Sequence, residues 1–168
     1  LRQAKLAQLL AEDGHTVHTY ALGEPQEPIP GLTPEVTLRR AEKADCVIFP
    51  LTVTTENGLL NTPLSLLEHP LTPVLDQLAP HQFLCGGRID PETQELARER
   101  GLTIHDYFAR EELAVANAVP TAEGAVQLAM EHLPITIHGS KTLVIGFGRV
   151  GRLTAQRFQA LGSKVSVA

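Results

Sequence analysis

The sequence has few cysteines, no excess of basic residues and no long apolar run. Only two cysteines occur among 168 residues, which excludes a disulfide-rich scaffold and predicts buried, reduced thiols at Cys46 and Cys85. The net charge of −5 excludes the electrostatic footprint of a nucleic-acid-binding protein. No apolar run approaches the roughly 18 residues of a membrane helix, and no signal-peptide pattern is present. We therefore expect a soluble, cytoplasmic protein without nucleic-acid or membrane partners.

The sequence also lacks a metal-binding pattern. Seven histidines occur, but none has the spacing of metal ligands, so we predict no metal site. His138, next to Gly139 and Ser140, is the histidine that we consider for a catalytic role, because it lies at the entry to the strand before the glycine loop.

Strand and helix signals alternate along the chain. Thr-Pro or Asp-Pro pairs, in which the first side chain caps a helix and the proline fits its first position, predict helices at Thr33-Pro34, Thr62-Pro63, Thr72-Pro73 and Asp90-Pro91. A further helix is predicted over residues 1–13. Strands are predicted over residues 16–22, 46–51, 82–85, 102–107, 142–145 and 164–168. Gaps too long for hairpins indicate parallel strands, hence an α/β fold with a doubly wound parallel sheet.

The chain is predicted to contain two domains. Residues 1–116 form a flavodoxin-like or Rossmann-like α/β domain on the substrate side, and residues 117–139 contain a connecting helix from about Ala122 to His132. Residues 140–168 are the first βαβ unit of a Rossmann domain. The chain opens on a helix without a preceding strand, and its second domain has only one βαβ unit, so we expect truncation at both ends.

The clearest motif is a Gly-x-Gly-x-x-Gly loop between a strand and a helix. Gly146, Phe147, Gly148, Arg149, Val150 and Gly151 form this loop. Gly146 permits the tight turn, Gly148 lets the backbone approach a pyrophosphate, and Gly151 lets the helix lie close to the strand. The helix N-terminus then favours phosphate, so the cofactor is NAD or NADP. The residue that separates the two lies about twenty positions on, past Ala168.

Polar residues at predicted strand ends form a second candidate site. Ligands of parallel α/β folds bind beyond the carboxyl ends of the strands, where Thr54, Thr55 and Arg88 offer hydroxyls and a guanidinium for a small carboxylate. Turn formation and helix capping explain the same residues equally well.

Several segments together resemble the family of the dipicolinate synthase A subunit from spore-forming bacteria. They are Asn-Ala-Val-Pro-Thr-Ala-Glu-Gly at 117–124, Thr-Ile-His-Gly-Ser at 136–140, Tyr-Phe-Ala-Arg-Glu-Glu at 107–112, Thr-Thr-Glu-Asn-Gly at 54–58 and the glycine loop. The resemblance implies an N-terminal α/β domain, a connecting helix and a Rossmann domain, as in 2-hydroxyacid dehydrogenases. It also implies oxidation of a dihydrodipicolinate-type precursor to dipicolinate during sporulation.

The resemblance has further implications for cofactor, partners and site residues. NAD(P), with NADP slightly favoured, accepts the hydride, and the partner is a second dipicolinate synthase subunit in the cytoplasm of the mother cell. We also expect a homo-oligomer. Thr54, Thr55, Asn117 and Thr121 orient a dicarboxylate substrate, and Glu123 is an acid–base candidate, although a carboxylate in the first turn of a helix is equally explained by the helix dipole. This fragment alone is expected to be inactive.

Two other functions are compatible with the glycine loop. Non-catalytic nucleotide-sensing domains of potassium-transport systems contain a similar loop, but there it opens the domain, whereas here an α/β domain precedes it. A hydrolase similar to adenosylhomocysteinase has a comparable two-domain plan with bound NAD, but its substrate motifs are not found in these residues.

Overall fold

The computed structural model describes residues 2–23 and 30–168. Its contacts divide the chain into two compact units, Leu1–Phe108 and Ala109–Ala168. Both units consist of parallel strands and helices, which confirms the predicted α/β class. The domain boundary predicted between residues 116 and 117 lies inside a helix, and the division by contacts falls earlier, after Phe108.

The first unit begins with a helix and a pair of parallel strands. Helix α1 spans Arg2–Glu12, and strands β1 (Val17–Tyr20) and β2 (Leu32–Glu35) pair in parallel. Gly14, with φ of +90°, follows the end of α1, as predicted. Most of the predicted loop over residues 23–31 lies outside the described residues.

A three-stranded parallel sheet carries the core of the first unit. Its strands are β3 (Cys46–Leu51), β4 (Phe83–Gly87) and β5 (Ile104–Asp106), in the order β3-β4-β5. Helices α2 (Leu71–Leu75) and α3 (Pro91–Arg98) lie between them in sequence. The buried core consists of Phe49, Val53, Leu60, Leu71, Val74, Leu75, Leu84, Ala97, Leu102 and Ile104.

Strand β3 carries an irregularity at its carboxyl end. Ile48 is paired with Cys85 and Leu51 with Gly87, so β3 has one residue more than β4 over this interval. Pro50 lies in the interval, and it has no N–H to donate to a neighbouring strand. The bulge brings the polar loop that begins at Thr52 to the end of the sheet.

The proline pairs have three different outcomes. Asp90 caps α3 by accepting a hydrogen bond from the Thr93 backbone N–H at 2.8 Å, and Thr72-Pro73 lies within α2, as predicted. The other two helix predictions are wrong. Thr33-Pro34 lies in strand β2, because proline is also accepted on a strand whose N–H side is unpaired, and Thr62-Pro63 lies in a turn in which Ser65 donates its backbone N–H to the Thr62 carbonyl oxygen.

The second unit contains a long helix and one βαβ element. Helix α4 spans Glu111–His132, strand β6 Lys141–Val144, helix α5 Arg149–Ala160 and strand β7 Lys164–Val167. Strands β6 and β7 are parallel, and α4 packs along α5. The helix predicted to begin near Ala122 begins instead at Glu111, because the Ala- and Leu-containing run before Pro120 favours helix.

The two cysteines have different environments, and both are free thiols. Cys85 is partly buried, whereas Cys46 is exposed, so the predicted burial of Cys46 is wrong. Side chains alternate between the faces of a strand, and Phe49, on the opposite face of β3, is the side chain that enters the core. Burial, followed by the neighbouring Cys46 thiol, raises the pKa of Cys85 to about 11. Among the described helices, none is long and apolar enough to span a membrane.

Candidate functional site

The glycine loop connects β6 to α5 in the second unit, in the strand–loop–helix–strand order that the sequence predicts. Helix α5 begins with Gly148 as its N-cap, and its first backbone N–H groups have no acceptor within the helix. Gly146 donates its backbone N–H to the Ala168 carbonyl oxygen at 2.8 Å, and Ala168 donates to Val144 at 3.0 Å. The loop therefore begins where β6 and β7 end.

The three glycines differ in the space around them. Gly146 has φ of +92°, a conformation that side-chain-bearing residues rarely adopt. A Cβ on Gly151 would overlap the Gly146 carbonyl oxygen, so only glycine lets α5 lie this close to the loop. A Cβ on Gly148, by contrast, would meet no atom within 4 Å. The packing of the chain therefore requires glycine at 151, whereas at 148 it leaves open space.

The other loop side chains are exposed. Phe147 and Val150 expose 53% and 40% of their surface, and Arg149 Nη2 lies 2.9 Å from Glu111 Oε2 in a solvent-exposed ion pair. Such pairs are weak, so Arg149 is free to exchange Glu111 for a phosphate. Arg152, which sequence reasoning missed, donates from Nε to the Phe147 carbonyl oxygen at 3.2 Å and lies over the Phe147 ring.

The two residues considered for catalysis lie away from this loop. His138 precedes β6 at its amino end, where its ring lies against Gly162, whereas the glycine loop is at the carboxyl end. The expectation that His138 lies near the loop is therefore wrong. Glu123 lies well inside α4 and pairs with Arg157 Nη2 at 3.2 Å, so the alternative that it occupies the first turn of a helix is also wrong. A catalytic role of Glu123 stays a prediction.

Asn117 and Thr121 lie one helical turn apart on α4. The Thr121 hydroxyl donates to the Asn117 carbonyl oxygen at 2.7 Å, a bond within the helix that leaves one oxygen lone pair of Thr121 for a ligand. Their predicted contact with substrate stays a prediction.

Thr54 and Thr55 begin a tight turn after β3. Thr55 donates its backbone N–H to the Leu59 carbonyl oxygen at 2.9 Å, and Gly58 donates to Thr55 at 3.0 Å. The Thr54 hydroxyl donates to Asp90 Oδ2 at 2.7 Å, which is the capping role that the sequence left open. The exposed Thr55 hydroxyl makes only a long contact of 3.4 Å to the Leu59 carbonyl oxygen. Of the two threonines, Thr55 is the freer to bind a ligand.

Asp90 joins this turn to helix α3. Besides the hydrogen bonds from Thr54 Oγ1 and the Thr93 N–H, it accepts one from Thr93 Oγ1 at 2.8 Å. Burial alone would raise the pKa of Asp90, but these hydrogen bonds to its carboxylate outweigh burial and hold the pKa below its ordinary value. The carboxylate is therefore ionised near neutral pH and fixes the turn to the amino end of α3.

Arg88 follows β4 with a left-handed backbone, φ +52°, and its side chain is exposed. Asp106, the last residue of β5, accepts hydrogen bonds from the backbone N–H groups of Arg88 and Ile89, each at 3.2 Å. Sequence reasoning missed Asp106, since nothing in the pattern Ile-His-Asp-Tyr distinguishes a bridging carboxylate from an exposed one. Among residues 2–23 and 30–168, no three His, Cys, Asp or Glu side chains form a group that could hold a metal ion.

Comparison with known proteins gives consistent matches. Residues 1–108 match the family described as the N-terminal domain of the dipicolinate synthase A subunit. The chain is 34% identical over 127 residues to the dipicolinate synthase A subunit of Bacillus subtilis, which covers 75% of this chain and 43% of that protein.

Solved structures agree with these matches. The crystal structure of the dipicolinate synthase A subunit from Bacillus halodurans aligns with a TM-score of 0.83 and 26% identity, covering 99% of this chain and 58% of that one. The corresponding dipicolinate synthase structure from Bacillus subtilis aligns with a TM-score of 0.75 and 29% identity, covering 99% and 56%. The chain thus spans about half the length of the relatives that it matches.

Proposed function

Because this chain belongs to the family of the dipicolinate synthase A subunit, we propose that it supplies the nucleotide-binding loop and the substrate-side domain of an NAD(P)-dependent oxidoreductase. In this proposal residues 146–151 hold the cofactor pyrophosphate, and the carboxyl ends of β3 and β4 bind a small dicarboxylate. The family makes the alternatives of a potassium-transport sensor and a hydrolase unnecessary, since the family match covers the α/β domain that precedes the loop.

The contrast between Gly148 and Gly151 carries the proposal. Packing requires glycine at 151, where a Cβ would overlap a carbonyl oxygen, but nothing in the protein fills the space beside Gly148. A glycine that packing does not require is explained by a ligand that approaches the backbone closely. The N–H groups at the start of α5 favour a phosphate in that place.

The proposed substrate is a dihydrodipicolinate-type precursor, which is oxidised to dipicolinate. Making the ring aromatic removes a hydride from one ring carbon and a proton from another position. The bound nicotinamide supplies the acceptor for the hydride. Arg88 pairs with one substrate carboxylate, and Thr55 donates its hydroxyl to the substrate, while Thr54 holds the turn through Asp90. Asn117 and Thr121 offer further polar groups.

The partners and setting are proposed by relationship. The matched relatives are named as one lettered component of dipicolinate synthase, so we propose that this chain forms a homo-oligomer and binds the second component of that enzyme. The place of action is the mother-cell cytoplasm of a sporulating bacterium. Either NAD or NADP fits the loop, with NADP favoured by the family resemblance.

Gly148→Ala in the full-length protein that carries these residues tests the proposal. Because the added methyl meets no protein atom within 4 Å, the free energy of unfolding should change by less than about 0.5 kcal/mol. The same methyl occupies the space of the pyrophosphate, so the affinity for NADH and NADPH, measured by fluorescence titration, should fall at least about tenfold.

Gly124→Ala is the matched control. Gly124 lies in α4, and its added methyl also meets nothing within 4 Å. This variant should keep its cofactor affinity. Unchanged NADH and NADPH binding in Gly148→Ala, or no binding of either nucleotide by the wild-type protein, contradicts the proposal.

A further inference from the structure

Arg88 occupies a strained position that the surrounding chain holds in place. Its φ of +52° is unusual for a residue with a side chain. The two residues before it allow no adjustment, since a Cβ on Gly86 would lie 2.6 Å from Val53 Cγ2, and one on Gly87 would lie 2.6 Å from Leu51 Cδ1. The end of β4 is therefore packed too closely to shift, and the left-handed turn at Arg88 directs the chain out of the sheet.

Asp106 holds this turn from the neighbouring strand. It is the register partner of Gly86 in the parallel pair β4–β5. One carboxylate oxygen accepts the backbone N–H groups of Arg88 at 3.2 Å and Phe108 at 2.7 Å, and the other accepts that of Ile89 at 3.2 Å. Three donated N–H groups bring together the ends of two strands and fix the backbone from which the Arg88 side chain extends.

The Arg88 guanidinium is available to a ligand. Its side chain is exposed, and no carboxylate of residues 2–23 or 30–168 forms an ion pair with it within 4.0 Å. It lies at the carboxyl end of a parallel strand, the edge at which α/β folds bind ligands. A guanidinium binds a carboxylate through two parallel hydrogen bonds, a geometry that depends on the direction of its side chain.

We propose that Asp106 is a positioning residue that acts through Arg88 to set the affinity for one carboxylate of the substrate. This inference rests on the proposed function, because it takes a pyridine dicarboxylate as the ligand class. Asp106 touches neither substrate nor cofactor. It sets the backbone conformation that aims the guanidinium, and its loss lowers binding of the carboxylate without changing the reacting atoms.

A double-mutant cycle in the full-length protein with its partner tests this inference. The variants are Arg88→Gln, Asp106→Asn and both together, with KM and kcat for the precursor and calorimetric affinity for dipicolinate as readouts. Arg88→Gln should raise KM and the dipicolinate Kd about 10- to 100-fold, as for a lost charge-assisted bond. Asp106→Asn should raise both several-fold with kcat nearly unchanged, and the double variant should match Arg88→Gln alone.

Asp76→Asn is the control for the loss of an aspartate in the same unit, since Asp76 pairs with Arg100 at 2.6 Å. It should leave KM unchanged. Asp106→Glu, which keeps a carboxylate, should lie between wild type and Asp106→Asn, and it replaces Asp106→Asn if circular dichroism shows that variant unfolded.

Two results overturn the inference. One is an unchanged dipicolinate affinity in Arg88→Gln, and the other is an Asp106 effect of equal size with and without Arg88. Wild-type protein that binds no NAD(P) and oxidises no precursor contradicts the proposed function instead, and the dipicolinate affinities still decide the role of Asp106.

Discussion

Gly151 shows how strictly one residue constrains the glycine loop. A side chain at this position would overlap the Gly146 carbonyl oxygen, although its helical position would otherwise favour alanine. We expect Gly151→Ala to lower the free energy of unfolding by about 1–3 kcal/mol, the cost of overpacking, and to weaken NAD(P) binding as well. Urea denaturation of the full-length protein measures the first effect, and a variant as stable as wild type contradicts this account of the packing.

Asp90 gives a prediction about pH at the same scale. Its folded-state pKa lies below the ordinary value of 3.8, so its contribution to stability is fully present above that value and is lost as pH falls through the folded-state pKa. Asp90→Asn should cost about 1–2 kcal/mol at pH 7, as for a lost helix cap.

The cost of this substitution should shrink below pH 3.8, because the wild-type carboxylate then becomes protonated. Denaturation of both proteins at pH 7 and at pH 3 measures the difference. A cost that is the same at both values would show that the charge of Asp90 contributes nothing.

At the scale of elements, some boundaries are predictable and others are not. Asp90-Pro91 begins a helix because the capping side chain and the proline act locally, without help from distant residues. Thr33-Pro34 carries the same local signal but pairs with β1 instead, so the partner strand decides its conformation. A local signal therefore predicts an element only where no neighbouring strand competes for the same backbone.

Helix α4 continues through Pro120, which costs stability. Proline has no N–H for the carbonyl of residue 116, and its ring crowds the preceding turn. We expect Pro120→Ala to raise the free energy of unfolding by about 1–3 kcal/mol, up to the difference in helix propensity between the two residues. Thermal unfolding of the full-length protein checks this. A less stable variant would show that the helix requires the proline.

At the scale of the whole molecule, the two units differ in how much apolar surface they bury. The unit Leu1–Phe108 has a contiguous buried core centred on Leu75 and Leu84, whereas the β6–β7 pair leaves Leu143, Ile145 and Val167 exposed. We expect a fragment of residues 1–108 to unfold cooperatively in urea, and a fragment of residues 109–168 to show no cooperative transition, because two strands do not form a stable sheet.

Circular dichroism of both fragments during urea titration makes this comparison. Cooperative unfolding of residues 109–168 alone would contradict the prediction.

The candidate site is predictable only in part from the sequence. The glycine loop is recognisable because its spacing is local and each glycine has a mechanical reason. The environment of Arg88 is not, because it depends on a left-handed φ and on Asp106 in another strand. Glu123 was misjudged for a similar reason, since its partner Arg157 comes from a different helix. Contacts distant in sequence decide these roles, and no local pattern contains them.

Under the proposed function, the open space beside Gly148 has a practical consequence for dissecting the enzyme in living cells. A protein with alanine there keeps its shape and its surfaces but no longer accepts nucleotide, so it still competes for the same companion chain. Produced beside the normal protein, it acts as a decoy whose dose titrates the pathway, and spores formed under it separate the need for assembly from the need for chemistry.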